Sequence, residues 1–541
     1  MKKQVYALTV LFASLLLVAC EGDDGIDGLD GTDGTDGFNS LVATRDIPKG
    51  DADCPGGGTA LDSGLDTNRN EILDPEEVTA TEVLECLANM IRALHASPDA
   101  PTVNILVDGE EALSGVDYMD GSGFVPVGQR FTVAVEANLP GDETATVFEE
   151  EWWLEYNTDI TFIATGYLAE QGGVPWLNVV DRWWWEERIT PDFFRVQIVH
   201  SAPSAPGVDV YVTAFDAELV NEVPVNGVNM PLFYFSSTWE PIEVPAGDYR
   251  IRITPAGDAE TVVFDSGETP LTFESGADLM IVAVDNVGPG AAPVQLVVMD
   301  GTTAFTLYDI NTPASVVAAH MSPDAPVVDL LADDNTTEEN EALPLVRGVE
   351  YNAFCDLAVP APGDYTVSVV DTDNNATVAH TIPVNVLKGD EAISIVSGFL
   401  ADGVTPDITD ITLVSDTRSV FTEGKLRITH ASPSTGAVDL YFVPDGTIIA
   451  DVDPTFAAIP FGGDTTQLSI APDVYDIYVT AAGDKVPVFE EQNAEFFGGD
   501  VLDVIARDPF GEEVGPQVTV LDYNAAEGEE GYVAPCPAPV E

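Results

Sequence analysis

Basic side chains are scarce. Of 541 residues only 19 are Lys or Arg, against 93 Asp or Glu, and the formal net charge is −74. Nucleic-acid binding draws most of its affinity from Lys and Arg neutralising phosphates, so a chain this negative argues against nucleic acid as a partner and against docking on anionic lipid headgroups. Histidine and cysteine are equally few, at five each. Zinc sites need three or four clustered His, Cys or carboxylate ligands, and no histidine-rich cluster is present. There is no glycine-rich phosphate loop and no dinucleotide fingerprint. Beyond the first twenty residues no apolar run approaches the roughly 20 residues of a spanning helix. Apolar residues nevertheless make up 45% of the chain, which removes the reading of a disordered acidic polymer. The length allows about three to five domains.

The first twenty residues give an address. Lys2 and Lys3 precede an almost wholly apolar run from Val5 to Val18, which closes on Leu17-Val18-Ala19-Cys20 and is followed directly by Glu21, Asp23 and Asp24. The run is too short to span and has the pattern of a signal peptide. Leu-Val-Ala-Cys resembles the lipobox of bacterial lipoproteins, which implies removal of residues 1–19, acylation of Cys20 and a membrane anchor through that residue. By the same resemblance, the lack of Asp immediately after Cys20 favours the outer membrane or cell surface.

From residue 22 to 37 glycine recurs at every third position, usually with Asp nearby. Collagen needs that period because only Gly fits its axis, but this stretch is short and has no proline. Residues 20–43 read as a lipid anchor and flexible acidic tether, with a trimeric stalk as the competing reading. Residues 44–89 form a small module bracketed by Cys54 and Cys86. Within it, Asp66-Thr-Asn-Arg-Asn-Glu-Ile-Leu-Asp-Pro-Glu-Glu77 has the spacing of a calcium loop. Asp66, Asn68, Asn70, the Ile72 carbonyl, Asp74 and Glu77 fall at the positions that supply oxygens to Ca²⁺ in an EF-hand. Glu71 stands where Gly usually turns the loop, and an outgoing helix is expected over Pro75 to Leu84. The segment is similar to small calcium-loop modules that follow glycine-rich stems in some bacterial lipoproteins. With Cys20 set aside, the four remaining thiols pair as Cys54 with Cys86 and Cys355 with Cys536, or stay free and buried.

The rest of the chain states one theme four times. His95-Ala-Ser-Pro-Asp-Ala-Pro-Thr-Val-Asn104, His200-Ser-Ala-Pro-Ser-Ala-Pro-Gly-Val-Asp209, His320-Met-Ser-Pro-Asp-Ala-Pro-Val-Val-Asp329 and His430-Ala-Ser-Pro-Ser-Thr-Gly-Ala-Val-Asp439 align without a gap. A turn and an alternating strand follow, as in Val244-Pro-Ala-Gly-Asp-Tyr249 and Val359-Pro-Ala-Pro-Gly-Asp-Tyr365. Short alternating strands with frequent turn signals predict an all-β chain of tandem antiparallel, immunoglobulin-like β-sandwiches over residues 90–192, 193–310, 311–420 and 421–525, with a tail at 526–541. The signature and the Pro-Gly-Asp-Tyr strand resemble the domain of unknown function 4397 family, found in exported and surface proteins. That resemblance implies no activity.

Histidine, serine and aspartate within five residues of a proline-stiffened turn are not a catalytic triad, whose members come from separate loops. The second repeat has Ala202 at the serine position, and the second and fourth have Ser204 and Ser434 at the aspartate position. His95, His200, His320 and His430 are therefore assigned a structural role, and no catalytic residue is expected. Six tryptophans fall in the first repeat: Trp152, Trp153, Trp176, Trp183, Trp184 and Trp185. They could pack, or form a platform for sugar rings or a protein partner. The reading is a non-enzymatic, lipid-anchored surface protein: a structural or adhesive rod with a calcium-binding module, whose partners are envelope or matrix components. Carbohydrate binding through the Trp-rich repeat is the alternative.

Overall fold

The computed structural model describes residues 37–47, 54 and 58–536, apart from 87–88, 156–157, 172–175, 183–188, 228–229, 239–240, 268, 334–342, 360–361, 374–376 and 402. The signal segment, Cys20, the glycine stem and Trp183 to Trp185 lie outside the described residues. Two compact units divide the chain, residues 1–48 with 57–86, and residues 49–56 with 87–541.

The first unit is a three-stranded antiparallel meander of Asn39–Ile47, Gly58–Asp66 and Val78–Cys86. Its first strand begins at Asn39, inside the segment assigned to the tether. The helix expected over Pro75 to Leu84 is replaced by the third strand. Val78, Thr79, Thr81 and Val83 are β-branched and favour a pleated surface, and the segment pairs with Gly58–Asp66 along its length. Asp62, in the middle strand, ties the sheet together by accepting from Arg45 Nε at 2.8 Å and Thr81 Oγ1 at 2.7 Å.

The second unit holds the four repeats, each a two-sheet sandwich; the first, third and fourth share one strand order, whereas the second has a six-stranded signature sheet and no strand beyond Val208–Ala214 in its other sheet. A signature strand ends at or just beyond the His: Asn89–Ala96, Phe193–His200, Ala314–Met321 and Gly424–His430. The turn then carries the chain to the second sheet, into Val103–Val107, Val208–Ala214, Val328–Asp333 and Val438–Pro444. These pair antiparallel with the long strands Arg130–Leu139, Gly247–Pro255, Gly363–Asp371 and Asp473–Ala481. The chain finally returns to the first sheet beside the signature strand, in Asp159–Thr165, Asp278–Asp285, Glu391–Ser397 and Val501–Arg507. That return is a crossover, so its pairing with the signature strand is parallel in every repeat. The sandwiches are otherwise antiparallel.

Each sandwich buries its own core between its sheets. In the second repeat this core includes Phe194, Val196, Ile198, Ile251, Ile253, Phe264, Ile281 and Val298. The alternate residues of the same sheet do not face water. Val199, Met280, Val282, Val284, Val297 and Met299 pack against Leu94, Ala96, Tyr118, Ile163 and Val180 of the first repeat. In the same way Val317, Ala319, Met321, Ile393, Ile395 and Ile411 of the third repeat pack against Ala431, Ile505 and Leu521 of the fourth. The repeats are thus joined in two pairs by the outer faces of their signature sheets, not strung as independent beads.

Polar contacts follow the same pairing. Tyr118 Oη donates to the Asp285 carbonyl at 2.7 Å, and Tyr351 Oη to the Asp508 carbonyl at 2.8 Å. Thr165 Oγ1 donates to the Ser201 carbonyl at 2.9 Å, and Ser397 Oγ to the Ala431 carbonyl at 2.7 Å. One arginine connects the pairs. Arg418, in the segment between the third and fourth repeats, donates to the Ala100 carbonyl at 2.7 Å and the Pro98 carbonyl at 3.3 Å, and forms an ion pair with Asp117. Beside it the Phe421 N–H donates to the Asp99 carbonyl at 2.8 Å. A disulfide between Cys355 and Cys536 fixes the tail to the third repeat, where Asp356 exchanges backbone bonds with Ala534 and Cys536. This is the second pairing expected from cysteine arithmetic. Cys54 is buried and disulfide-bonded, while the side chain of Cys86 lies outside the described residues.

Candidate functional site

The repeated signature turn is the feature that a shared function would use, so its groups are followed individually. At each turn the imidazole Nδ1 accepts a backbone N–H two residues on, from Ser97, Ala202, Ser322 and Ser432 at 3.3 to 3.4 Å. Nε2 faces a carbonyl six residues on, of Pro101, Pro206, Pro326 and Gly436, at 3.0 to 3.2 Å. An accepting Nδ1 leaves the proton on Nε2, where it bonds the carbonyl. Each ring is neutral and spans the turn like a strut. Burial drives the His95 pKa down to about 4 and lowers those of His200, His320 and His430 as well.

The serine does not meet the histidine as nucleophile meets base. Ser97 Oγ donates to the Gly166 carbonyl at 2.5 Å and Ser322 Oγ to the Gly398 carbonyl at 2.7 Å. The fifth position of the motif divides the repeats into two kinds. In the first and third, Asp99 accepts from the N–H groups of Leu168 and Ala169 at 2.6 and 2.9 Å, and Asp324 from those of Leu400 and Ala401 at 2.8 and 3.0 Å. In the second and fourth, Ser204 and Ser434 donate to Asp285 at 2.8 Å and Asp508 at 2.7 Å. The strand registers place Asp285 and Asp508 where the first and third repeats have Gly166 and Gly398. The carboxylate has changed sides of the same contact. Sequence reasoning took Ser204 and Ser434 only as departures from the motif; the odd–even alternation was the signal that the repeating unit is a pair.

Asp285 lies at the junction within its pair. It is 2% exposed, accepts from Tyr167 Oη at 2.6 Å, and has its pKa raised by burial. Among the described residues Arg92, Arg252, Arg418, Lys425, Arg427 and Arg507 are buried despite their charge. Arg427 forms a two-pronged pair with Asp503 at 2.7 and 2.8 Å, and Tyr523 Oη donates to the same carboxylate at 2.9 Å.

The calcium-loop residues meet in the connection between the second and third strands of the small module. Glu77 accepts from the Thr67 N–H and hydroxyl, both at 2.7 Å, from the Asn68 N–H at 3.1 Å and from the Asp74 N–H at 3.3 Å. The Thr67 hydroxyl, foremost, holds its pKa below the usual carboxylate range. Asp66 accepts the N–H groups of Asn70 and Glu71, both at 3.0 Å. Asp74 takes the side-chain amides of Asn68 and Asn70 at 2.6 and 2.9 Å. Glu71 adopts φ 64°, the left-handed turn that glycine makes at this position of an EF-hand loop. Ile72 is exposed. Among the described residues no three His, Cys, Asp or Glu side chains are grouped to hold a metal.

Trp152 and Trp153 do not share a face. Trp152 packs edge-on against Phe162 at 5.2 Å in the core of the first repeat, whereas Trp153 is 57% exposed. Adjacent strand residues point to opposite faces. Trp176 opens the strand Trp176–Arg182, and its side chain is not among those described.

Fold and signature define a tandem all-β repeat protein. The chain belongs to the domain of unknown function DUF4397 family, whose model matches residues 89–211, 194–306 and 314–441. The fourth repeat, which begins inside the last match, has the strand order of the first and third and the histidine turn of all the others, at His430. Residues 39–84 match a second family, domain of unknown function DUF7151. Neither description indicates an enzyme. A solved structure titled "The Bacillus anthracis TIE protein" aligns with 87% of this chain and 76% of that one, at 12% identity and a TM-score of 0.14, too poor a superposition to inform fold or function. No curated protein matches the chain.

A buried neutral His95 has a definite pH signature. Its folded pKa of about 4 lies below the ordinary 6.5, so between those values the unfolded chain binds the extra proton, and this contribution to stability is lost as pH falls through that window. His95→Gln should remove it. The drop in unfolding free energy from pH 7 to pH 5 should be smaller in the variant by about 2 kcal/mol, read from denaturant curves at the two pH values. Equal drops would show that His95 does not titrate this way.

Proposed function

We propose that the chain is an exported, lipid-anchored protein of the outer membrane or cell surface, without catalytic activity, that presents its paired sandwiches as a stiff acidic scaffold of structural or adhesive use toward envelope or matrix components. The observation that carries this reading is the use made of the repeated motif. Its histidine, serine and aspartate groups are bonded to their own backbone or to the neighbouring strand, and so support a framework more than a reaction. The Cys355–Cys536 disulfide supports export, because such bonds persist in oxidising compartments. The lipobox-like Leu17 to Cys20 supports the anchor. Cys20→Ser should move the protein from the membrane pellet to the soluble fraction of cells. If the variant stayed with the membranes, the anchor would lie elsewhere.

The small module is proposed to bind one calcium ion through Asp66, Asn68, Asn70, the Ile72 carbonyl, Asp74 and Glu77. The left-handed Glu71 and the oxygens gathered within one short loop support this. Calorimetric titration of the chain from residue 21 onward should give one saturable site for Ca²⁺ that Mg²⁺ does not fill and that Glu77→Ala abolishes. Saturation unaffected by Glu77→Ala, or no saturable heat at all, would reduce the loop to a solvated turn.

A further inference from the structure

The interiors of the four sandwiches are not equally filled. Positions can be matched by counting from the signature histidine and aspartate and by strand register. Two residues before the histidine, the second and fourth repeats carry Ile198 and Ile428, and the third carries Ala318. Three residues after the aspartate, they carry Val212 and Phe442, and the third carries Ala332. Opposite Gly247 and Asp473 stand Phe273 and Phe496, whereas opposite Gly363 stands Val386.

The consequence is visible around one tyrosine. In the fourth repeat Tyr475 closes an aromatic cluster with Phe442 and Phe496, with ring centroids 4.4 to 5.8 Å apart. In the second repeat Tyr249 does the same with Phe194 and Phe273, at 4.8 to 6.1 Å. The counterpart in the third repeat, Tyr365, instead borders an apolar cavity of about 100 Å³ between the two sheets, lined also by Ala318, Leu330, Ala332, Val386 and Val396. In the first repeat the corresponding space is about 40 Å³. The backbone register has been kept while the side chains that fill the interior have been shortened. Cores are ordinarily packed to crystal density with few voids larger than a water molecule, and an apolar cavity holds apolar guests rather than water.

We propose that the interior of the third repeat is a binding site for a single unbranched alkyl chain. Cavities of about 150 Å³ accept benzene, and this smaller space between two sheets, about 100 Å³, has room for a few methylene groups. A neutral alkyl ligand is favoured over a carboxylate, because the chain carries a net charge of −74 that repels anions at its surface.

The test is calorimetric titration of the chain from residue 21 onward with 1-hexanol, together with the thermal midpoint. One saturable site is expected. Ala332→Phe and Ala318→Ile, which install residues native to the fourth repeat, should each weaken binding at least tenfold while leaving the thermal midpoint unchanged or higher. If Ala332→Phe does not fold, Ala318→Ile, the smaller change, decides the matter by itself. Absence of saturable binding to the native chain, or undiminished binding in a folded Ala318→Ile variant, would overturn the proposal.

Discussion

The structure depends on one constraint: in each repeat, one sheet is apolar on both faces. A sandwich satisfies only the inner face. Met280, Val282, Val284, Val297 and Met299 in the second repeat, and Val317, Ala319, Ile393 and Ile395 in the third, would otherwise stand in water. Burying an apolar side chain of this size contributes about 1.5–3 kcal/mol, so the outer faces add a second core to each pair. Pairing of repeats is therefore part of folding, not a later association, and the tyrosine and hydroxyl bonds across each junction fix its register.

Charge is arranged around the same contacts. Some of the few arginines lie where repeats meet, with Arg418 between the pairs and Arg427 with Asp503 inside one of them. A buried pair of this kind is weak as a source of net stability, but loss of one member leaves an uncompensated buried charge. With 19 basic against 93 acidic side chains, the surface is dominated by carboxylates. Such a surface resists self-association and attracts counter-cations.

Much of this was legible in the sequence. The gapless His-to-Asp signatures mark the repetition, and the alternating strands give the sandwich. The structural role assigned to the histidines follows from four near-copies that cannot all be catalytic. The unbroken apolar run Leu279-Met-Ile-Val-Ala-Val284 forms a strand of the second sandwich, and such a run signals burial on both faces and hence a neighbour outside the domain. The helix expected after the acidic loop came from the analogy with an EF-hand, while the β-branched residues from Val78 to Val83 favoured a strand. The parallel strand pair could not be read from periodicity, which reports faces and not direction. Nor could the hollow interior of the third repeat, since Ala318 and Ala332 show as absences only once the registers of the other repeats are known.

The most direct test of the central claim is hydrogen exchange on Met280→Asp, which places a charge in the outer-face contact of the first pair and leaves the inner core of the second repeat untouched. Coupled folding of the pair predicts that amide protection falls together in Asp278–Asp285 of the second repeat and Asp159–Thr165 of the first, by comparable factors, while Glu391–Ser397 of the third repeat keeps its protection. Loss confined to the second repeat would contradict the account and return the protein to a series of independent domains.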